Sequence, residues 1–206
     1  MFAIPCRTTK TRPYGSRFWD AEKDADMRLV FQAIDDGEAD TVRSCAIYGL
    51  GRKVSEATNF TPLMYAARCR DAVLVEILAP YSQAEGLAQY TLNALLIAIS
   101  QEHAGCVKAL IPLSDLQAQD ALLGRTPLMH AAAAGHAECV ELLLSGSDLN
   151  AVDCNGRNAA KLARHSGHGD IEDQIASFES RMEREALALE ARDLASGAPS
   201  RNGPRL

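Results

Sequence analysis

Apolar residues recur at helical spacing along most of the chain, in short segments separated by polar turns. In residues 139–144, CVELLL, they line one face of a helix. Residues 59–67 read NFTPLMYAA and residues 124–132 read GRTPLMHAA, while a weaker copy, NALLIAI, lies midway at residues 93–99. The pattern predicts an internal repeat built from helices.

Aligning the copies gives five units, spaced by 33, 32, 33 and 32 residues, that start near Arg28, Thr61, Asn93, Thr126 and Asn158. Five positions after these starts the residue is always alanine, at Ala33, Ala66, Ala98, Ala131 and Ala163. Fourteen positions after the first four starts it is valine, at Val42, Val75, Val107 and Val140. Alanine lets a neighbouring helix approach closely, and the valines lie in runs with helical apolar spacing. Each unit is therefore predicted to be a pair of helices.

The start of a unit has the residues of a capped helix. Thr61 and Thr126 can accept hydrogen bonds from the first helical turn, and the proline after each fills a position whose N–H has no helical partner. Gly135 is expected to end the first helix of its unit. Residues 153–156, DCNG, predict a tight turn because Asn and Gly tolerate positive φ, and Asn59 replaces that glycine in an earlier unit.

From Gly124 to Leu144 the sequence resembles the ankyrin repeat, whose pattern is Gly-x-Thr-Pro-Leu-x-x-Ala-Ala-x-x-Gly-His followed by Val-x-Leu-Leu-Leu. The resemblance implies an all-α solenoid of helix-turn-helix units with short β-turn or hairpin loops, over residues 27–169. It is weak in the first and third units. The family usually has histidine where Met64 and Met129 stand, so apolar packing is expected to replace the hydrogen bonds of that ring.

An N-terminal segment precedes the predicted array. Residues 1–26 include several basic residues, prolines and a glycine, and they are expected to be an unstructured, flexible lead. Phe18 and Trp19 are expected to cover the open end of the first unit, since an array must shield its terminal apolar faces from water.

A long C-terminal helix is predicted for residues 170–196. Asp170 is expected to cap it, and Arg181 and Glu185 have the spacing of an ion pair. Its apolar stripe is shorter than the three to four heptads of a coiled coil, which favours an end cap with a protruding tip. Residues 197–206, rich in Gly, Pro and Ser, are expected to be disordered.

The composition narrows the classes of partner. The 206 residues carry a formal net charge of -6, which disfavours nucleic acid because such binders neutralise phosphates with a basic face. No apolar run is long enough to span a membrane. The six cysteines include no Cys-x-x-Cys pair, which indicates reduced thiols in a cytoplasmic protein, with a nuclear location left open.

No motif points to catalysis, a cofactor or a metal. The chain lacks a Gly-rich phosphate loop, a Gly-x-Ser-x-Gly elbow and a His-Glu-x-x-His motif. Cys154, His165 and His168 are the candidate ligands of a metal site. They lie on either side of a turn and a helix end, and the repeat already explains the positions of both, which disfavours a metal site. Cys106 and Cys139 precede the valine column, which favours buried apolar residues over nucleophiles. We therefore expect a protein that is not an enzyme and has no cofactor.

Recognition of a protein partner is the function left by these exclusions. Stacked units create an extended concave face. The resemblance to ankyrin arrays implies that this face binds other proteins. Positions that vary between units are the expected contacts, since the framework columns stay constant. They are Phe60, Arg68, Tyr90, Leu92, Gln101, Leu122, Leu123, Arg125, Asn155 and Arg157. Of these, Tyr90, Leu122, Leu123 and Asn155 are expected at the tips of turns. For the leucines, packing between adjacent turns is an equal alternative.

The leading hypothesis is a monomeric cytoplasmic adaptor that binds a protein through the concave face. The alternative is a scaffold or assembly subunit that forms homo-oligomers through its long C-terminal helix, which removal of residues 180–206 would test. A third possibility is an array left from a larger enzyme family that has lost its catalytic domain, for which no motif remains as evidence.

Overall fold

The computed structural model describes most of the chain, namely residues 25–52, 54–55, 59–82 and 88–195. Ten α-helices occupy this part: α1 (Ala25–Asp36), α2 (Ala39–Ile47), α3 (Pro62–Arg68), α4 (Ala72–Leu78), α5 (Ala88–Ser100), α6 (Ala104–Leu110), α7 (Pro127–Ala134), α8 (Ala137–Leu144), α9 (Ala159–His165) and α10 (Gly169–Ala195). Short 3-10 helices span Leu50–Arg52, Ala79–Ser82 and Ile111–Leu113, and the described residues contain no β-strand. The predicted all-α class is confirmed.

The parts of the predicted N-terminal lead up to residue 24, with Phe18 and Trp19, lie outside the described residues, as does the predicted tail at 197–206. No helix in the described part of the chain has the length and apolar character required to cross a membrane.

The helices form two layers. The odd-numbered helices make the first layer and the even-numbered helices make the second, and within each layer every helix contacts the next one. Each odd-numbered helix also packs on the even-numbered helix that follows it. The result is a stack of helix pairs in which the described turns before α7 and α9 lie side by side at one edge.

The core consists of the columns that the repeat predicted. The alanines five positions after the unit starts are all buried, and so are the valines fourteen positions after the unit starts. Large side chains such as Leu63, Leu128 and Leu162 fill the space between the layers. An interior packed this closely leaves no room for added methylene groups, and overpacking it would cost about 1–3 kcal/mol per site.

Helix caps set the starts of three first-layer helices. The hydroxyl oxygens of Thr61 and Thr126 accept hydrogen bonds from the N–H groups of Met64 and Met129, at 3.2 and 3.4 Å. The side-chain oxygen of Asn158 caps α9 in the same way. The caps predicted at the Thr-Pro sites are confirmed.

The first helices of the first and third units begin earlier than the repeat alignment suggested. α1 is helical from Ala25 and α5 from Ala88, so Arg28 and Asn93 lie inside these helices. Neither residue is followed by proline, and Asn93 accepts a hydrogen bond from the side chain of Gln89 one turn before it. Nothing at these positions stops the helix, which therefore extends toward its N-terminus.

α10 ends at Ala195, close to the predicted boundary, but its start differs from the prediction. The helix begins at Gly169, and Asp170 lies in its first turn, where a carboxylate still interacts favourably with the helix dipole. The predicted ion pair between Arg181 and Glu185 is not formed in this described helix. The guanidinium of Arg181 lies over the ring of Phe178 instead, 4.9 Å from its centroid.

Candidate protein-binding surface

The turn before α7 is organised by the carboxylate of Asp120. Its Oδ1 accepts hydrogen bonds from the N–H groups of Leu122 and Leu123, at 2.8 and 2.6 Å. Its Oδ2 accepts from the N–H of Arg125 at 3.3 Å and lies 2.7 Å from Nε2 of His130. One side chain therefore holds the turn at four places, and sequence reasoning had not singled it out.

The charge of Asp120 is maintained by these contacts. Burial by itself would raise the pKa of this carboxyl, but the hydrogen bonds from Leu123, His130 and Leu122 outweigh it and lower the pKa below its ordinary value. Asp120 is therefore ionised at neutral pH, which lets the imidazole of His130 donate to it. Apolar packing of buried Met129 thus does not wholly replace the ring-to-turn bonds of the family, because His130, one position later, makes one.

The turn before α9 uses Asp153 in the same way. Its Oδ1 accepts from the N–H groups of Asn155 and Arg157, each at 2.9 Å. Burial would raise the pKa of Asp153, but the bonds from Arg157 and Asn155 reverse this and lower the pKa to about 2. The predicted tight turn is confirmed, since Gly156 has a φ of 72° and donates its N–H to the carbonyl of Asp153.

Arg125 and Arg157 both lie against Asp153. Arg157 donates from Nη2 and Nε to Oδ2 of Asp153, at 2.9 and 3.1 Å, and Nε of Arg125 lies 3.9 Å from the same oxygen. Both arginine side chains are largely buried. The two predicted contact residues thus tie neighbouring turns together through a shared carboxylate. The signal for this was present, because arginine repeats at the same position in two units and repetition is typical of a framework residue.

Apolar side chains stand exposed at the tips of these two turns. Leu122 is 91% exposed, Leu123 is 39% exposed and Val152 is 48% exposed, and we call these three residues the apolar tip. The carbonyl of Leu123 accepts a hydrogen bond of 3.0 Å from the N–H of Cys154, which links one turn to the next. The side chain of Gln119 donates to the carbonyl of Val152, also at 3.0 Å. The sequence prediction included the two leucines and missed Val152.

Two other predicted contact residues are not at turn tips. Tyr90 lies within α5 and is half-buried against the core. Leu92, on the same helix, is only 4% exposed. The expectation that Tyr90 lies at the tip of a turn is wrong, because α5 begins at Ala88 and converts this segment from a turn into packed helix. For Leu92, the structure shows packing, which was one of the two alternatives.

The remaining predicted residues have mixed surroundings. Gln101 and Asn155 are exposed in turns. Phe60 is half-buried, and the guanidinium of Arg68 lies 5.7 Å from the centroid of its ring, close enough for a cation–π interaction. The structure therefore brings Phe60 and Arg68 together at one end of the first layer, and the apolar tip lies nearer the other.

Close to Phe60 and Arg68, α1 and α3 are joined through Tyr65. Its hydroxyl donates to Oδ1 of Asp35 at 2.9 Å, and its ring lies 4.5 Å from that of Phe31, centroid to centroid. Burial, together with the charge of Asp35, raises the pKa of this phenol. The tyrosine therefore stays protonated and acts as a donor between neighbouring units.

His103, His136 and His168 each directly precede a second-layer helix. Nδ1 of His103 accepts from the N–H of Cys106 at 3.2 Å and so caps α6, while burial and the nearby Arg70 lower the pKa of this ring. His136 precedes α8. The ring of His168 packs so closely on Gly135 that an added Cβ there would lie 2.5 Å from it.

Metal-ligating and nucleophilic groups are not gathered at one place in the part of the chain that the structure describes. Cys106 and Cys139 are fully buried, and burial raises the pKa of the Cys106 thiol to about 12. The pKa of Cys139 is raised for the same reason. Both residues are packed, protonated thiols, as their place beside the valine column predicted.

Stacked helix pairs joined by carboxylate-held turns define a helical-repeat solenoid. The family model for ankyrin repeats, in three copies, matches residues 29–120 and 95–177. The chain belongs to the ankyrin-repeat family. Repeats of this family are generally protein-interaction modules, and the family is typically non-enzymatic. The expected number of about five repeats stays a prediction. No curated protein matches the chain in sequence.

Proposed function

We propose that this chain is a cytoplasmic adaptor that binds a protein partner along its first layer and turn edge, with the apolar tip as the central contact. The observation that supports this most strongly is Leu122, a large apolar side chain that is 91% exposed on a turn held by Asp120. A leucine that only filled space would be expected to pack between turns.

The rigidity of the turn favours a binding role. Ordering a flexible loop on association costs free energy, and a loop already held by hydrogen bonds avoids most of that cost. Complete burial of an exposed leucine contributes about 1.5–3 kcal/mol, so Leu122 with Leu123 and Val152 could supply a useful part of the affinity. The partner would present an apolar pocket to this tip.

The other predicted contact residues divide into two groups. Gln101 and Asn155 are exposed and suit the polar rim of an interface, while Phe60 with Arg68 forms a second, half-buried contact. Arg125, Arg157, Tyr90 and Leu92 support the surface from beneath.

Site-specific photo-crosslinking tests this proposal directly. A benzophenone amino acid is placed at position 122, or at position 187 in a control, and the protein is irradiated in lysate of its native cells. Leu187 is a matched control because it is 64% exposed on α10. We expect one defined polypeptide to be crosslinked from position 122 and not from position 187. Crosslinks from position 187 alone would reject the proposal.

A substitution pair separates binding from folding. The double variant Leu122→Ser with Leu123→Ser should lose the polypeptide captured by the unaltered chain, and its thermal unfolding should change little because both side chains are exposed. Leu187→Ser should retain the polypeptide. Equal retention by both variants would show that the apolar tip is not the contact.

A second candidate function is assembly through α10. Met182 and Leu189 are exposed and continue the helical face that carries the buried residues Ile171 and Ile175. This apolar continuation would suit a partner helix. Truncation before residue 180 should abolish oligomers if this function holds, and it should leave the contact at Leu122 intact if the adaptor function holds. Sedimentation velocity of the two chains distinguishes these outcomes.

A further inference from the structure

The second layer has its own solvent face. The helices α2, α4, α6 and α8 start after Glu38, Asp71, His103 and His136. Counted from these residues, the fourth position of each helix is the buried valine column, and the second, fifth and sixth positions point away from it. We call the surface formed by these three positions the outer face.

The charges of the outer face alternate. The fifth position is occupied in stacking order by Arg43, Glu76, Lys108 and Glu141. All four residues are exposed, and none makes an ion pair or side-chain hydrogen bond within the described part of the chain. The signs of the four charges are positive, negative, positive and negative. When the same column is placed opposite itself in reverse order, every residue therefore faces one of opposite charge.

An apolar patch lies beside these charges on α4. Val73 is 53% exposed, and Ile77, Pro80 and Tyr81 continue the patch along the helix and the 3-10 turn that follows it. These residues, with Arg43 and Glu76, line a shallow depression of about 380 Å³. On α6 the equivalents of Val73 and Ile77 are Gly105 and Ala109. The outer surface of α4 thus carries large apolar side chains where that of α6 carries small ones.

We propose that the outer face binds a second copy of this chain, with the two stacks running in opposite order and α4 of each copy lying on α6 of the other. A two-fold axis between α4 and α6 then makes the contact isologous, as in most homodimers. Glu76 faces Lys108 of the partner subunit, and Arg43 faces Glu141 of the partner subunit. Symmetry repeats both pairs, so four opposite-charge pairs form.

The charge column selects this register over its neighbours. With the axis on α4, Glu76 would face itself and Arg43 would face Lys108 of the partner subunit. With the axis on α6, Lys108 would face itself and Glu76 would face Glu141 of the partner subunit. Both alternatives bring like charges together, which disfavours wrong pairings in protein interfaces. Among these three registers, only the proposed one places opposite charges at all four positions of the column.

The shapes agree with the charges. In the proposed register Val73 and Ile77 lie opposite Gly105 and Ala109 of the partner subunit, so large apolar side chains meet small ones. Two contacts in this arrangement are unfavourable, because at each outer end Asp40 faces Glu138 of the partner subunit. Both residues are exposed to water, so salt screens their repulsion. Asp173, which has the fifth position on α10, lies beyond the end of the partner.

The dimer should be weak and salt-sensitive. Helices pack roughly 8–10 Å apart and rise about 1.5 Å per residue, so four short helices offer on the order of 1,000 Å² in total across the two copies. That area is at the lower end of specific interfaces. The charge pairs then contribute mainly specificity and the rate of association.

Charge reversal in two complementary variants tests the register. In a dimer of the Glu76→Lys variant, two cations face each other at each central pair. In a dimer of the Lys108→Glu variant, two anions face each other there. Each variant alone should therefore dimerise poorly. A mixture restores opposite charges at both central pairs. We expect sedimentation equilibrium at low salt to give each variant alone a dissociation constant at least about tenfold above that of the unaltered chain, and the mixture to recover most of the loss. Glu190→Lys and Lys161→Glu, exposed residues of α10 and α9, are matched controls that should associate like the unaltered chain.

Three results would overturn the proposal. The first is a chain that stays monomeric at low salt up to about 1 mM protein, beyond which association is too weak to be specific. The second is association of either charge-reversal variant alone with unaltered affinity, which would place the contact elsewhere. The third is a mixture that fails to recover, although circular dichroism shows both variants folded. Truncation before residue 180 should leave this dimer intact, which separates it from association through α10.

Discussion

The turns before α7 and α9 are two solutions to the same structural problem. In each, an aspartate donates its N–H to the carbonyl of an arginine at 2.9 Å and uses its carboxylate to hold the intervening backbone. Asp153 is followed by glycine after three residues, whereas Asp120 is followed by Gly124 after four. The extra residue of the longer turn leaves Leu122 outside the packed structure, while the shorter turn exposes Asn155.

The comparison separates framework from recognition. The carboxylate, the following glycine and the backbone of the arginine make equivalent hydrogen bonds in both turns, so they respond to the needs of folding. The side chains between them differ in number and in polarity. A repeat can therefore change what it presents to a partner without changing how its turn is held.

The largest expected effect comes from removing either carboxylate. Asp153→Ala should lower Tm by about 5–10 °C, because two backbone N–H groups and a largely buried arginine lose their acceptor. Asp120→Ala should lower Tm by about half as much, since Asp120 is more exposed than Asp153 and interacts with a neutral or charged imidazole. Calorimetry measures both, with Asp173→Ala on the exposed face of α10 as control. A larger loss for Asp120→Ala would contradict the ranking of the two turns.

Acid should weaken both turns in a predictable window. The pKa of Asp153 is about 2 in the folded chain, below its ordinary value of 3.8, so its contribution to stability is present above about pH 4. That contribution is lost as the pH falls from about 4 to about 2. Asp153→Asn should therefore flatten the dependence of the urea midpoint on pH over this range. An unchanged slope in this variant would show that other carboxylates govern acid unfolding.

The glycines of the two turns should be needed to similar extents. Gly124 and Gly156 have φ values of 64° and 72°, and alanine in this region costs about 1 kcal/mol per site. Gly124→Ala should cost slightly more, because its Cβ would contact the backbone of Cys154 at 3.4 Å while that of Gly156 meets nothing within 4 Å. Gly156→Asn should be milder, since Asn59 adopts a φ of 57°. Urea unfolding measures all three, and a stabilising alanine would contradict the argument.

The smallest change in stability is expected from making the turns equal in length. Deleting Leu122 gives the fourth unit the spacing of the fifth, and the free energy of unfolding should change by less than about 1 kcal/mol. Capture of the partner should be lost, because the main exposed side chain has gone. A folded deletion variant that still captures the partner would show that the longer turn is not a recognition device.

Much of the fold could be predicted because the relevant signals are local. The Thr-Pro caps, the alanine and valine columns and the positive φ at Asn59 and Gly156 each follow from the chemistry of a few adjacent residues. Repetition then made these local signals reliable, because the same residue type recurred at equivalent places. The family could be predicted for the same reason.

The candidate surface was harder to predict because exposure is a property of packing. Tyr90 and Leu92 looked like turn residues until α5 proved to begin at Ala88. Arg125 and Arg157 looked free to meet a partner, yet Asp153 lies beside both of them, in the same turn as Arg157 and in the turn next to Arg125. Val152 was not singled out, since a single valine gives no sign that it will be exposed.

The sequence by itself determined which segments form helix pairs, where α3 and α7 are capped and which columns pack in the core, because these depend on propensity and spacing along one chain. Only the tertiary structure decided which side chains face water and which charges share a carboxylate. Those properties depend on residues about 30 positions apart, and stacking alone brings such residues together.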